Sequence, residues 1–175
     1  MSYGPLPKKV EPRKLAERDV VFAGQAPISG MPRLASNLVT DNGSIDVEIR
    51  FAKDEQNLCT LTGSAHGSVS MTCQRCLEPV SVEVDARFNL AVTLSDEQAK
   101  HLPRNYDPLI IETDEIELLP IIEDELMLSL PLVPYHDDCS IQTSFGDAET
   151  ARTQEATKPN PFSVLAQLKE KADKS

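Results

Sequence analysis

The clearest pattern of apolar and polar positions lies in the segment 68–94. Val69, Met71 and Cys73 alternate with small polar residues up to a short break. A period of two buries one face of a β-strand and leaves the other face in water. The segment therefore predicts two strands joined by a tight turn. After the break the apolar positions are Val80, Val82, Val84, Ala86, Phe88, Leu90, Val92 and Leu94.

Weaker patterns on the N-terminal side predict the neighbouring strands. Residues 20–25 form a short apolar run, and residues 45–51 alternate after a turn signal at 41–43. A further strand is expected at 58–63, and its last glycine, together with Gly67, is expected to mark a bulge or bend. Short connections between successive strands favour antiparallel pairing. The chain up to residue 94 is thus predicted to form an antiparallel meander.

After residue 94 the period changes from that of a strand to that of a helix. Ser95 and Gln98 have the spacing of a capping box, which predicts a short helix. Asp114 is expected to cap a second helix from about Ile116 to Leu130, and Pro120 is tolerable only near its first turn.

The second predicted helix has an apolar stripe and an acidic side. The stripe recurs at three- and four-residue spacing, at Leu119, Ile122, Leu126 and Leu130. Such a stripe covers one face of a sheet, and we expect it to face the strand residues Val82, Val84 and Phe88. The carboxylates expected on or near the side facing water are Glu117, Glu123, Asp124 and Glu125.

Together these elements predict an α+β fold, with an antiparallel β-meander or partly open barrel covered by a few helices. A chain of 175 residues is long enough for one domain with tails. We expect a basic N-terminal arm at 1–19 and a β-rich core with the acidic helix at 20–134. An acidic linker is expected at 135–157 and a C-terminal amphipathic helix at 158–175.

The C-terminal helix is predicted to bind a partner. Asn160 is a good N-cap and Pro161 a good first helical residue. A flexible acidic tether followed by a docking helix is typical of a partner-binding element. The alternative is that this helix closes the core of its own domain. The residues expected to bind the partner are Phe162, Val164, Leu165, Leu168 and Lys169.

Charge is distributed unevenly over a chain whose formal net charge is −11. Both ends are basic, whereas the segment from Asp96 to Glu149 is rich in carboxylates and has only Lys100 and Arg104 as cations. The overall charge argues against a broad nucleic-acid footprint. Two interpretations remain open. The charges are solvated faces and tails, or they form an acidic surface for a basic partner with basic ends for RNA or an acidic partner.

Several classes of protein are disfavoured by the sequence. No apolar run approaches the ~18 residues of a membrane-spanning helix, and the N-terminus lacks the apolar region of a signal peptide. We therefore expect no membrane partner and a cytoplasmic location. The sequence has no glycine-rich phosphate loop and no nucleophile motif around its histidines, so we expect no enzymatic activity.

The predicted turn contains the sequence Cys73-Gln74-Arg75-Cys76. This C-x-x-C spacing lets both sulfurs point at one place, to bind a metal or each other. In a cytoplasmic chain, thiols or metal ligands are favoured over a disulfide framework. A redox role is disfavoured, because a catalytic C-x-x-C usually opens a helix. Cys59 is most simply a core residue.

Three pieces of the chain together resemble the bacterial YceD-like family, the large ribosomal RNA subunit accumulation proteins. They are CQRC at 73–76, IIEDELMLSLPLVPYHDDC at 121–139 and KPNPFSVLAQLK at 158–169. The resemblance implies a non-enzymatic role in the synthesis, processing or stability of 23S ribosomal RNA. It implies large-subunit precursor RNA, a basic ribosomal protein, or both as partners. The alternative is a chaperone-like binder of a basic large-subunit ribosomal protein that makes no RNA contact.

This chain departs from that family's pattern at one point. Many relatives carry a second cysteine pair after the acidic helix, whereas this chain has only Cys139, with His136 three residues before it. A complete tetrahedral site would use Cys73, Cys76, Cys139 and His136, and zinc accepts such a Cys₃His set. The alternative is that Cys73 and Cys76 are reduced thiols at a turn, with no cofactor bound.

Overall fold

A computed structural model describes residues 2–140 of the chain, and its main feature is a twisted arrangement of β-strands. The order of the strands in the main sheet is β1-β3-β4-β5-β6-β7, and β2 pairs with β8 in a small second sheet. The strands are β1 (Ser2–Tyr3), β2 (Lys9–Val10), β3 (Val20–Pro27), β4 (Ser44–Lys53), β5 (Cys59–Thr72), β6 (Pro79–Thr93), β7 (Asp107–Ile110) and β8 (Ile116–Glu117).

The four long strands β3 to β6 pair antiparallel in chain order. The short strands β1 and β7 add to the two edges in parallel orientation. The sheet formed by the described residues is open, so of the two predicted architectures the meander is confirmed and the barrel is not formed. The α+β class is confirmed as well.

The predicted bulge at Gly63 and Gly67 is wrong. The pairing of β5 with β6 runs without interruption from Thr60 to Thr72. The glycines are explained by close approach of core side chains instead. A Cβ atom at Gly63 would lie 2.6 Å from Cζ of Phe88, and one at Gly67 would lie 2.8 Å from Cδ1 of Ile45. Both separations are shorter than van der Waals contact, so a larger residue would force its neighbours to move. The constraint is stricter at Gly63, where the backbone oxygen of Glu48 would also lie 2.7 Å away.

The alternation predicted for the long strands is confirmed by burial. Along β4, and along β6 up to Leu90, every second side chain lies in or against one hydrophobic core, while most of the side chains between them are exposed. This is the pattern of a sheet with one face covered and the other in water. The buried members are Ile45, Val47, Ile49 and Phe51 on β4, and Val80, Val84, Ala86, Phe88 and Leu90 on β6, with Val82 half-buried. The last four residues of β6 are all buried.

Four α-helices are described: α1 (Pro12–Ala16), α2 (Pro32–Ala35), α3 (Asp96–Ala99) and α4 (Leu118–Ser129). The predicted cap of α3 is confirmed. Oγ of Ser95 accepts a hydrogen bond from the backbone N of Gln98 at 3.4 Å. Oε1 of Gln98 accepts from the backbone N of Leu94 at 3.0 Å. Two backbone donors at the start of α3 are therefore satisfied by these side chains.

The helix predicted to begin near Ile116 begins at Leu118, and Asp114 does not cap it. Ile116 and Glu117 instead pair with β2 as the short strand β8. Their extended backbone excludes them from the helix. Pro120 consequently lies in the first turn of α4, where a missing N–H group is tolerated.

The helix α4 packs against β6, as the apolar stripe predicted. Ile122 and Leu126 are fully buried in the same core cluster as Val84 and Phe88. At the N-terminus of α4, Leu118 is fully buried while the predicted Leu119 is only half-buried. Leu118, Ile122 and Leu126 are spaced by four residues and therefore share the buried face.

The placement of Glu123 on the side facing water is wrong, since only 3% of its surface is exposed. Its Oε1 accepts hydrogen bonds from the backbone N of Arg33 at 2.6 Å and of Leu34 at 3.0 Å. Its Oε2 accepts from Nε of Arg33 at 3.0 Å. The first N–H groups of a helix lack partners within the helix. Glu123 on α4 supplies those partners for α2 and joins the two helices.

The predicted C-terminal helix and most of the predicted acidic linker lie beyond the residues that the structure describes. The C-terminal residues predicted to bind a partner, Phe162, Val164, Leu165, Leu168 and Lys169, lie outside the described residues. Of the predicted acidic linker at 135–157, only residues 135–140 are described. Within residues 2–140, every helix is too short or too polar to cross a lipid bilayer.

Candidate metal centre

The turn between β5 and β6 forms a compact loop that holds two of the cysteines. The backbone N of Cys73 donates to the carbonyl of Glu78 at 2.9 Å, and the N of Leu77 donates to the carbonyl of Cys73 at 3.0 Å. Leu77 adopts a left-handed backbone with φ of 66°, which tightens the loop. Cys73 is fully buried and Cys76 is half-buried.

A second segment, residues 131–140, returns from the end of α4 to this loop. The carbonyl of Pro134 accepts a hydrogen bond from the backbone N of Gln74 at 2.8 Å. The guanidinium carbon of Arg75 lies 5.6 Å from the centroid of the Tyr135 ring, within range of a cation–π contact. These contacts bring His136 and Cys139 beside the loop.

The four ligands predicted from the sequence meet at one place. The donor atoms of Cys73, Cys76, His136 and Cys139 all lie within 4.8 Å of one another. The sulfurs of Cys73 and Cys139 are 3.7 Å apart, and the sulfur of Cys76 is 3.4 Å from Nδ1 of His136. Metal–sulfur bonds of about 2.3 Å and a metal–nitrogen bond of about 2.0 Å at tetrahedral angles give separations in this range. The arrangement can therefore hold a metal ion.

His136 is held in the tautomer that a metal ligand needs. Its Nε2 lies 3.0 Å from the carbonyl oxygen of Pro79. A carbonyl oxygen only accepts hydrogen bonds, so Nε2 carries the proton and Nδ1 presents its lone pair to the sulfurs. A hydrogen bond of this kind on the far nitrogen is the usual support for a metal-binding histidine.

Arg75 contacts the candidate metal centre, and the sequence analysis did not single it out. Its Nε donates to Sγ of Cys139 at 3.0 Å, its backbone N donates to Sγ of Cys73 at 3.4 Å, and its Nη2 donates to the carbonyl of His136. It therefore contacts both segments that supply ligands. The available signal was charge, since Arg75 is the only cation between Val69 and Ala86.

The hydrogen bonds of the loop favour a thiolate at Cys73. Burial raises the pKa of this thiol, but backbone hydrogen bonds from Cys76, Arg75 and His136 outweigh burial and lower the pKa to about 5. At Cys76 a backbone hydrogen bond from Glu78 lowers the pKa, whereas burial and the neighbouring sulfurs outweigh it and raise the pKa overall. The thiolate is the form that binds metals. One ligand is thus ionised at neutral pH even before a metal binds.

The fourth cysteine, Cys59, lies at the start of β5, at the opposite end of the strand from the loop. It is half-buried against the hydrophobic core, as the sequence indicated. Burial raises the pKa of its thiol. Cys59 therefore remains protonated at neutral pH, in contrast to Cys73.

Comparison with known proteins identifies the family. The family model described as "Large ribosomal RNA subunit accumulation protein YceD" matches residues 61–169, which include all four candidate ligands. A protein with that name from Haemophilus influenzae is 36% identical over 169 residues, which cover 95% of this chain and 97% of the relative. No solved structure matches the chain. The chain belongs to the family of large ribosomal RNA subunit accumulation proteins, YceD.

Proposed function

We propose that this protein is a non-enzymatic factor in ribosome biogenesis that supports the synthesis, processing or stability of 23S ribosomal RNA. The observation that carries this proposal is family membership over nearly the whole chain, since the curated relative is named for accumulation of the large ribosomal RNA subunit. We expect the protein to act in the cytoplasm, where bacterial ribosomal RNA is made. Its expected partners are large-subunit precursor RNA, a basic ribosomal protein, or both.

The experiment that tests this function compares ribosomal RNA in cells with and without the protein. Deleting the gene in its host bacterium should lower the ratio of 23S to 16S RNA, and expression of the full chain should restore it. A ratio that does not change on deletion, under growth conditions in which the protein is made, would contradict the proposal.

A chaperone-like role on a basic ribosomal protein is the second candidate, and the charge distribution favours it. The chain from Asn105 to Ser140 contains acidic residues but no lysine or arginine. The two candidates differ in their dependence on salt and on the chain ends. RNA binding through residues 1–18 or 158–175 should weaken steeply with salt and be lost when those ends are deleted. Binding of a basic protein should survive the deletions and fail when the acids from Asp114 to Glu125 are neutralised.

We infer that Cys73, Cys76, His136 and Cys139 hold a zinc ion that has a structural role. All four positions of a tetrahedral site are filled by protein ligands, and a closed site of this kind is typical of structural zinc. Bound zinc would supply bonds that fix residues 136–139 against the β5–β6 loop. Three thiolates and one Zn²⁺ carry a net charge of −1, and the guanidinium of Arg75 lies where it balances that charge.

A further inference from the structure

An exposed apolar surface lies beside the candidate metal centre, and we propose that it binds a basic amphipathic segment of a partner protein. Five large apolar side chains in this region each expose more than half of their surface, and Leu132 exposes 99%. Each of the other exposed large apolar side chains in residues 2–140 exposes less than half of its surface. We call these five residues the apolar ridge: Leu77, Leu128, Leu132, Val133 and Tyr135.

One member of the ridge, Leu132, lines a groove of about 410 Å³ between the end of β5, the end of α4 and the segment that follows α4. Met71 from β5, Met127 from α4 and Leu130 at the end of α4 also line this groove. Methionine side chains adapt to differently shaped apolar partners. A groove with this lining suits the apolar face of an amphipathic helix.

Three members of the ridge, Leu132, Val133 and Tyr135, lie in the segment after α4, which contacts the β5–β6 loop. Pro131 and Pro134 restrict the backbone on both sides of Leu132, and the carbonyl of Pro134 is bonded to Gln74. Tyr135 lies against Arg75. Apolar side chains held in this way lose little conformational freedom on binding, which lowers the entropic cost of association. Exposed apolar surface of this extent is typical of a protein-interaction site.

Charge around the ridge selects a cationic occupant. Glu78 follows Leu77 directly, and Asp137 and Asp138 follow two positions after Tyr135, all three exposed. The cation that contacts Tyr135, Arg75, is already bonded to Cys139 and to the carbonyl of His136. The surface therefore attracts lysine and arginine side chains and repels phosphate groups, so the partner is a protein segment and not RNA.

This inference goes beyond the proposed function, because it names a surface and the chemistry of its partner. It rests on the side chains of the ridge and their charged neighbours, and its test is a binding measurement with purified components. Failure of that measurement leaves the cellular test of 23S RNA accumulation unaffected, so the two can fail separately.

The test measures binding of a fluorescent 16-residue synthetic peptide, with lysines on one helical face and leucines on the other, to the full-length protein. The double variant Leu132→Ser/Val133→Ser should weaken binding by about tenfold, the scale expected when two central apolar contacts are lost. The matched control is Leu94→Ser/Ile110→Ser, which removes two exposed apolar side chains at the opposite end of β6. The control should stay within about twofold of the wild type.

Two further variants test whether the surface prefers a cationic partner. Asp137→Asn/Asp138→Asn should weaken peptide binding by about threefold or more at low salt. Glu83→Gln/Glu112→Gln changes the net charge equally at exposed sites away from the ridge, and should have less than half that effect. A peptide with glutamate in place of lysine should not bind.

Three results would overturn the inference. The first is equal weakening, or no weakening, by the ridge variant and its control. The second is a wild-type dimer in sedimentation that the ridge variant dissociates, which would assign the surface to a second copy of this chain. The third is a loss of binding to a labelled 23S RNA fragment in the ridge variant while peptide binding is unchanged. Thermal melts of all variants establish that each is folded.

Discussion

The covered sheet and the candidate metal centre are held together in different ways. In the core between the sheet and α4, side chains such as Phe51, Ile122 and Leu126 are almost completely buried, and non-directional apolar burial supplies the stability. At the candidate metal centre, the segment 131–140 has few buried apolar side chains. It contacts the β5–β6 loop through hydrogen bonds, and each of the two supplies two of the four candidate ligands. The sheet should therefore fold without metal, whereas the order of the second region should depend on the ion.

The largest expected effect concerns the core of the sheet. Phe88→Ala removes a ring that lies in the core cluster beneath α4, so it should lower the free energy of unfolding by about 3–5 kcal/mol. Chemical denaturation of the full-length protein measures this change. A loss below about 1 kcal/mol would show that the strand register is wrong.

A smaller loss is expected from the polar contact between α2 and α4. Glu123→Ala leaves two backbone N–H groups without acceptors, the part-buried one of Arg33 and the buried one of Leu34. The free energy of unfolding should fall by about 1–3 kcal/mol. The control is Asp124→Ala, whose carboxylate pairs with the same arginine at the exposed surface and should contribute less than about 1 kcal/mol. Equal effects of the two variants would contradict the role assigned to Glu123.

A variant at the candidate metal centre should affect that region and leave the sheet unchanged. Cys139→Ser should lose the bound metal. Amide hydrogen exchange of residues 131–140 should then become about tenfold faster or more, because the segment can open locally without breaking metal bonds. Exchange in β5 and β6 should change little. The control Cys59→Ser should keep the metal and the slow exchange. Fast exchange confined to β5 and β6 in Cys139→Ser would contradict the separation of the two regions.

The smallest effect is expected at the exposed face of the sheet. A hydrogen bond from Arg50 lowers the pKa of Asp19, and the two side chains form a paired contact with distances of 2.6 and 2.7 Å. Because the folded pKa lies below the unfolded value, the contact contributes stability above the unfolded pKa and loses it as pH falls through the folded pKa.

The side-chain carboxyl resonance of Asp19 should therefore titrate below its usual range, and Arg50→Gln should return the midpoint toward normal. Both side chains are exposed, so the effect on unfolding should be close to the resolution of the measurement. An Asp19 midpoint that is the same in both proteins would show that the contact does not persist in solution.

The sheet could be predicted in detail because its signal is local. The alternation from Val80 to Leu90 reports burial residue by residue, and a slip by one position would expose the whole apolar face. The start of α4 was predicted less well, since Asp114 has the right chemistry for a cap but the pairing of β8 with a distant strand decides the boundary. Gly63 and Gly67 were misinterpreted because their neighbours lie on other strands.

The four candidate ligands of the metal centre could be predicted, but the residues that support them could not. The spacing of Cys73 and Cys76 indicates a metal site or a pair of thiols, and comparison with the family's second cysteine pair leads to His136 and Cys139. Arg75 was missed because its contacts are made across 64 residues of sequence. Glu123 was missed for the same reason, since its partner at Arg33 lies 90 residues away. The ridge residues Leu128 and Leu132 have the apolar spacing of a core, and only the structure shows them exposed.

The most direct test of the metal assignment is the zinc content of the full-length protein purified without chelator. Elemental analysis should find about one zinc per chain in the wild type and in Cys59→Ser, and far less in Cys139→Ser, since a closed tetrahedral site needs all four ligands. A wild-type content below about one zinc per two chains, with no other metal in its place, would contradict a structural metal at Cys73, Cys76, His136 and Cys139.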